Sequence, residues 1–200
     1  MAVVRGVKEK VHLPLYDARK FIGTADIRQQ ITNNVIKFFV DVQNKTKLET
    51  NQQESGVLSH FNTYQARALR VVVQPLETPE TTSPPSPMLK RDNERFISNF
   101  IYNTVTSFIV GEKIMIQAPT WMFPAGAGEA NDERLSHGVA SPEATFRFAE
   151  PVNVSCQQNF RVEIEFPNGT EVLGSARPAN SNDIARIWVM LDGYLTRDVQ

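Results

Sequence analysis

Residues 160–166 read Phe160-Arg161-Val162-Glu163-Ile164-Glu165-Phe166. Phe160, Val162, Ile164 and Phe166 fall on one side, and Arg161, Glu163 and Glu165 on the other. Side chains alternate faces along a strand, so this period of two predicts a half-buried β-strand with one wet face. Pro167-Asn168-Gly169-Thr170 follows at once. Asn-Gly tolerates positive φ, so the chain is expected to reverse there and pair back on itself. An antiparallel sheet with one face in water is the simplest result, and its apolar face needs a second layer.

Strands with similar patterns lie on both sides of this stretch. Val35 to Val42 alternates Ile36, Phe38, Val40 and Val42 with Lys37, Phe39 and Asp41. Tyr64 to Val73 ends in Val71-Val72-Val73, which asks for cover on both faces. Ser107 to Ala118 reads as strand, bend, strand about Gly111-Glu112. Thr145 to Ala149, Val152 to Ser155, Val172-Leu173 and Ile184 to Leu191 complete the set, with Asp192-Gly193 turning the last into a tail. One short helix is expected, capped by Asp92-Asn93-Glu94 and carrying the stripe Phe96, Ile97, Phe100 and Ile101 into the core. Residues 43–62, 76–91, 124–144 and 174–183 are polar or rich in Pro, Gly and Ser, and read as long loops. Helix is scarce between the strands, so βαβ winding is excluded as the organising unit. The expected fold is all-β: an antiparallel β-sandwich, a jelly roll of about eight strands with one short helix and long loops. Residues 1–34 read as an N-terminal arm that folds over the domain edge or reaches a neighbour, and residues 35–200 as a single jelly-roll domain.

The totals agree with one soluble domain. The chain has 200 residues, 41% hydrophobic and 22% charged, enough to build a core. Its net charge of -1 argues against bulk phosphate neutralisation, and no run of Lys and Arg marks a basic patch. The single cysteine, Cys156, excludes an intrachain disulfide framework and is expected in the core as a small apolar residue. The N-terminus has no apolar core of signal-peptide length, which points to synthesis in a cytosol, and no run reaches transmembrane length. The Asn-x-Ser/Thr matches at Asn44, Asn153 and Asn168 are then chance.

Catalytic chemistry finds little support in the residues. A metal enzyme on a jelly roll needs imidazoles and a carboxylate converging on one ion. His12, His60 and His137 are the only histidines, none is paired as His-x-His or His-x-Asp, and they fall in the arm and two loops. Glu129, Asp132, Glu133 and His137 form the densest local cluster, which reads as a solvated acidic loop before a cation site, because the oxygen ligands lack the alternation of a calcium loop. Ser136-His137 are neighbours in sequence, which does not make a triad. Gly126-Ala-Gly128 lacks the helix and glycines of a phosphate cradle. Trp121, Phe123 and Trp188 are the rings a sugar-binding module would use; Trp188 sits in a core strand and is expected buried, whereas Trp121 and Phe123 lie between Pro119 and Pro124. No catalytic, cofactor-binding or metal-ligating residue is assigned, no cofactor is expected, and the chain does not read as an enzyme.

Three stretches together carry a resemblance. They are Ile187-Trp-Val-Met-Leu-Asp-Gly-Tyr-Leu-Thr-Arg-Asp-Val-Gln200, the strand Phe160 to Phe166, and Leu48-Glu-Thr-Asn to Leu58 running into Asn62-Thr-Tyr-Gln-Ala-Arg-Ala-Leu-Arg-Val71. Over about residues 35 to 200 the pattern resembles the single jelly-roll major capsid proteins of tailless icosahedral phages with an internal membrane. The resemblance implies a structural protein without catalytic residues, self-assembling in many copies into an icosahedral shell. It allows a second capsid protein and an underlying viral membrane as further partners, with no sequence-specific nucleic-acid binding, and a location in the virion after synthesis in the host cytoplasm. Contacts are expected in the N-terminal arm, the Pro-rich loop 76–91 and the tail 192–200. The alternative is a glycan-binding β-sandwich module of a virion spike or receptor-binding protein, for which Trp121 and Phe123 should share an exposed face. A third reading is a metal-dependent oxygenase or isomerase.

Overall fold

The computed structural model describes residues 8–22, 26–73, 96–124, 145–173 and 184–198. Among them are nine strands: β1 (Lys8–His12), β2 (Leu15–Ile22), β3 (Val35–Phe38), β4 (Thr63–Val73), β5 (Val105–Val110), β6 (Lys113–Pro119), β7 (Phe146–Val154), β8 (Phe160–Glu165) and β9 (Ile184–Asp198). A helix covers 96–102.

The organising strand is β8, and its alternation holds: Phe160, Val162 and Ile164 are buried, while Arg161, Glu163 and Glu165 face outward. The pairing around it builds a set of nested hairpins. β5 pairs with β6, β4 with β7, β3 with β8 and β2 with β9, all antiparallel. Further pairing of β4 with β9 and of β5 with β8 splits this ribbon into two sheets, ordered β2-β9-β4-β7 and β3-β8-β5-β6. Two four-stranded antiparallel sheets with this order are a jelly roll. β1 continues the edge beyond β2, against the distal half of β9.

The core lies between the sheets. Phe38, Phe108 and Val162 meet it from one sheet, and Tyr64, Leu69, Val71, Val189 and Leu191 from the other. Each large side chain removed from water there contributes roughly 1.5–3 kcal/mol. The helix closes one end: Phe96, Ile97, Phe100 and Ile101 are buried, as the stripe predicts, and Phe100 meets Phe166 edge-on with centroids 5.7 Å apart. Thr104 Oγ1 donates to the Phe100 carbonyl at 2.7 Å and satisfies one of the orphan acceptors of the helix end.

Several elements differ from expectation. Residues 8–22, read as an arm, form β1 and β2. They pair with β9 because Val11, Leu15 and Phe21 present an apolar face opposite its core residues. β3 stops at Phe38 rather than Val42, because Phe39 takes φ 69, swings into the core and leaves Val40 outside. Thr145 to Ala149 and Val152 to Ser155 are one strand, β7, with the irregularity opposite Arg67 taken up inside it. Val172-Leu173 belongs to a 3₁₀ turn over Thr170–Leu173, not to a strand. Asp192-Gly193 does not turn the chain: β9 runs through it to Asp198. The Asn168-Gly169 turn does form, with Gly169 at φ 77 and its N–H bonded to the Phe166 carbonyl at 2.9 Å. It leads away from β8 into the opposite sheet rather than into a hairpin partner.

The strand order decides where the loops go. The segments between β2 and β3, β4 and β5, β6 and β7, and β8 and β9 all start and finish at the same end of the sandwich, near the Val35–Glu165–Val105–Pro119 row and the Val73–Ile187 pair. The segment 39–62, the two-residue turn at Gly111-Glu112 and the turn 155–159 occupy the opposite end. Loop 76–91, all but the first residue of loop 124–144, the cap Asp92-Asn93-Glu94 and residues 174–183 lie outside the described residues.

Candidate functional site

Among the described residues, those singled out for chemistry are not gathered by the fold. His12 ends β1, where its Nε2 lies 2.7 Å from Asp192 Oδ1 and its ring is tilted against Tyr194. His60 stands in the segment 39–62, beside the exposed ring of Phe61 at 4.1 Å between centroids. Glu129, Asp132, Glu133, Ser136, His137, Gly126 and Gly128 lie outside the described residues. Among the described residues no three His, Cys, Asp or Glu side chains are placed to hold a metal ion, and no helix is long and apolar enough to cross a membrane. Cys156 is not a core residue: it sits half-exposed in the turn between β7 and β8, where the alternation of β7 has ended.

The aromatic residues separate. Phe123 is fully buried, its ring 5.0 Å from that of Phe146, with its carbonyl accepting from the Val71 N–H. Trp121, two residues earlier in a 3₁₀ turn, is 51% exposed. The two rings of the glycan reading therefore do not share a surface. Trp188 is half-exposed rather than buried. The core positions of β9 are Ile187, Val189 and Leu191, so position 188 must face outward. Its Nε1 donates to the Leu48 carbonyl at 3.2 Å.

That contact belongs to a clamp that ties the segment 39–62 to the β2 edge. Asp17, on β2, is completely buried. Its carboxylate accepts from the Phe39 N–H at 2.7 Å and from Lys45 Nζ at 2.8 and 2.9 Å. Burial pushes the Asp17 carboxyl above the usual carboxylate range, while the Lys45 and Phe39 bonds pull it back. Asn51 accepts from the Tyr16 N–H and donates to the Pro14 carbonyl at 2.7 Å, and Thr50 Oγ1 donates to the Tyr16 carbonyl. Sequence reading missed this clamp, because an aspartate alternating inward looks like an interruption of a strand. The clamp covers an edge that would otherwise offer unpaired backbone groups to another chain.

The opposite edge is treated differently. Among the described residues β6 pairs only with β5, and its burial alternates weakly. Ile114 is 56% exposed and Met115 44%, next to the hairpin turn in which Gly111 takes φ 62. At the far end of β6, Trp121 and Tyr102, which is 70% exposed, flank the bond from the Thr120 N–H to the Thr104 carbonyl at 2.9 Å. Among the described residues this edge strand has no partner on its outer side, and it carries apolar side chains.

No protein-family model matches this chain, and no curated protein and no solved structure matches it significantly.

Proposed function

We propose that this chain is a viral structural protein, a major capsid protein that self-assembles in many copies into an icosahedral shell of the virion after synthesis in the host cytoplasm. The observation that carries the reading is the β6 edge: a strand open on one side among the described residues, with Ile114 and Met115 exposed and Trp121 and Tyr102 beyond them. A shell needs a rigid body whose contacts repeat at fixed angles, and two sheets locked by nested hairpins supply one. It also needs surfaces that differ around the body. Long connections at one end, a clamped edge at β2 and an open apolar edge at β6 fit that need. A second capsid protein and a membrane beneath the shell are further partners on this reading.

Light scattering across protein concentration and salt, with electron microscopy of any large species, tests it. Large regular assemblies are expected from the parent chain. The Ile114→Lys/Met115→Lys variant should stay folded by circular dichroism and lose them, since lysines on an edge oppose strand-to-strand association. A parent chain that stays monomeric throughout, or a variant that assembles like the parent, overturns the reading. The exposed ring of Trp121 favours a second reading, a glycan-binding module of a virion spike. For that reading a glycan array should light up with the parent chain and go dark with Trp121→Ala.

A further inference from the structure

The two outer faces of the sandwich carry different charge. On the β3-β8-β5-β6 sheet the described charges come close to balancing: Lys37, Arg161 and Lys113 stand against Glu163 and Glu165, with Lys37 and Arg161 approaching Glu163 at 3.9 and 2.7 Å. Among the described residues the β2-β9-β4-β7 sheet carries more cations than acids. Alternation from the buried Leu195 and the half-buried Val11 sends Lys8 and Lys10 outward on β1, opposite Asp198 and Thr196. The register with Met190 places Arg70 outward on β4, and its Nε is buried with no hydrogen-bond partner among the described residues. Arg67 and Arg147 join them from the irregularity shared by β4 and β7. Lys20 on β2 stands directly opposite Arg186 on β9, with Glu49 near both. Among the described residues, Asp192, already engaged with His12, Asp198 and Glu49 are the acids on this side, with Glu150 in the β7 irregularity.

The basic residues form a strip rather than a spot. From Arg186 to Thr196 along β9 the strip runs ~33 Å, and three strand spacings make it ~14 Å wide. Tyr194 lies within it and holds two of the cations: Lys10 Nζ sits 4.7 Å and Arg67 Cζ 5.6 Å from its ring centroid. Lys10 is further fixed by its bond to Gln65 at 3.1 Å. None of the large exposed apolar side chains among the described residues lies on a strand of this sheet.

We infer that the outer face of the β2-β9-β4-β7 sheet binds the sugar–phosphate backbone of a nucleic acid, without sequence preference. A row of phosphates matches a long, narrow, cationic strip on one face of a sheet. The inference rests on charge placement and is independent of the shell reading.

Fluorescence anisotropy with a labelled random-sequence single-stranded oligonucleotide longer than the strip tests it. Five cations in contact predict a slope of log affinity against log salt of about -3.5, a fall of about 100-fold between 50 and 200 mM salt. The Lys10→Gln/Arg67→Gln variant should flatten the slope to about -2. Lys8→Gln/Lys20→Gln should do the same by a separate route, while Lys37→Gln on the other face leaves it unchanged. The Ile114→Lys/Met115→Lys edge variant should bind at least as well as the parent, which separates this inference from assembly. No binding at low salt, an equal loss with Lys37→Gln, or binding to phosphatidylserine vesicles but not to the oligonucleotide overturns it.

Discussion

Replacing Lys45 by alanine isolates what the buried Asp17 carboxylate needs. The parent holds that carboxylate with both oxygens against Lys45 Nζ and one against the Phe39 N–H, with none of Asp17 exposed and the lysine side chain 15% exposed. Removing one partner of a buried ion pair strands the other charge, at a cost of about 3–5 kcal/mol. The partial access of water at Lys45 puts the expected loss near the lower end, about 3 kcal/mol, or about 10 °C in Tm for a chain of this size. The pH dependence fixes the cause. Asp17 already has its pKa raised in the folded state, so its share of stability is full below its unfolded value of 3.8 and is lost as pH rises through the folded value. Without Lys45 the folded pKa climbs further, each unit adding about 1.4 kcal/mol to the penalty at neutral pH. Urea unfolding of the monomeric chain at pH 7 and at about pH 5 should therefore show the Lys45→Ala deficit shrinking as the solution is acidified. The Asp17→Asn/Lys45→Met variant keeps an acceptor for the Phe39 N–H and should recover most of the loss. A single variant within about 0.5 kcal/mol of the parent at both pH values, or a double variant no better than the single, refutes the clamp as described.

Two further expectations follow from the β2-β9-β4-β7 sheet. A Cβ at Gly193 would meet the Gln65 carbonyl oxygen at 2.1 Å, backbone that cannot step aside, so Gly193→Ala should cost about 3 kcal/mol and lower Tm by about 10 °C in a calorimeter. Burial pushes the Tyr64 phenol well above its ordinary value of 10.0, and Asp192 adds to the shift, while its hydroxyl donates to the Leu191 carbonyl at 2.7 Å. The unfolded chain loses that proton first, so stability should fall as pH rises above about 10, and Tyr64→Phe should remove part of the fall in alkaline urea titrations.

The sequence announced the sandwich through positions whose neighbours in the chain decide their environment. β8 alternates cleanly because both its faces are uniform, one core and one water. The helix stripe at Phe96, Ile97, Phe100 and Ile101 is likewise local. What was illegible depended on partners far along the chain. β1 and β2 look like an arm because Lys8-Glu9-Lys10 and the inward Asp17 dilute their apolar face, and only β9 and Lys45 give those residues their places. Trp188 looked buried because Val189 and Met190 beside it are apolar; the openness of one sheet face is a property of the fold, not of the stretch. The candidate surfaces were hidden for the same reason. No run of Lys and Arg exists, yet residues from Lys8 to Arg186 share one face once the registers are known. The β6 edge shows itself only when the strand order reveals which strand is outermost.

The nesting of the hairpins also sets a timetable. β9 is the middle of its sheet, with β1 and β2 on one flank and β4 on the other, and Arg197 on it bonds Glu9, 188 positions earlier. On a ribosome, the first strands emerge long before the strand that joins them to the rest. Until β9 is released, β1 and β2 have no sheet to join, and their apolar sides wait uncovered. Closing so large a loop late makes folding slow and leaves an interval in which the newborn chain is open to chaperones and to its own copies. A truncation that stops short of β9 should therefore leave an aggregating fragment rather than a smaller sandwich.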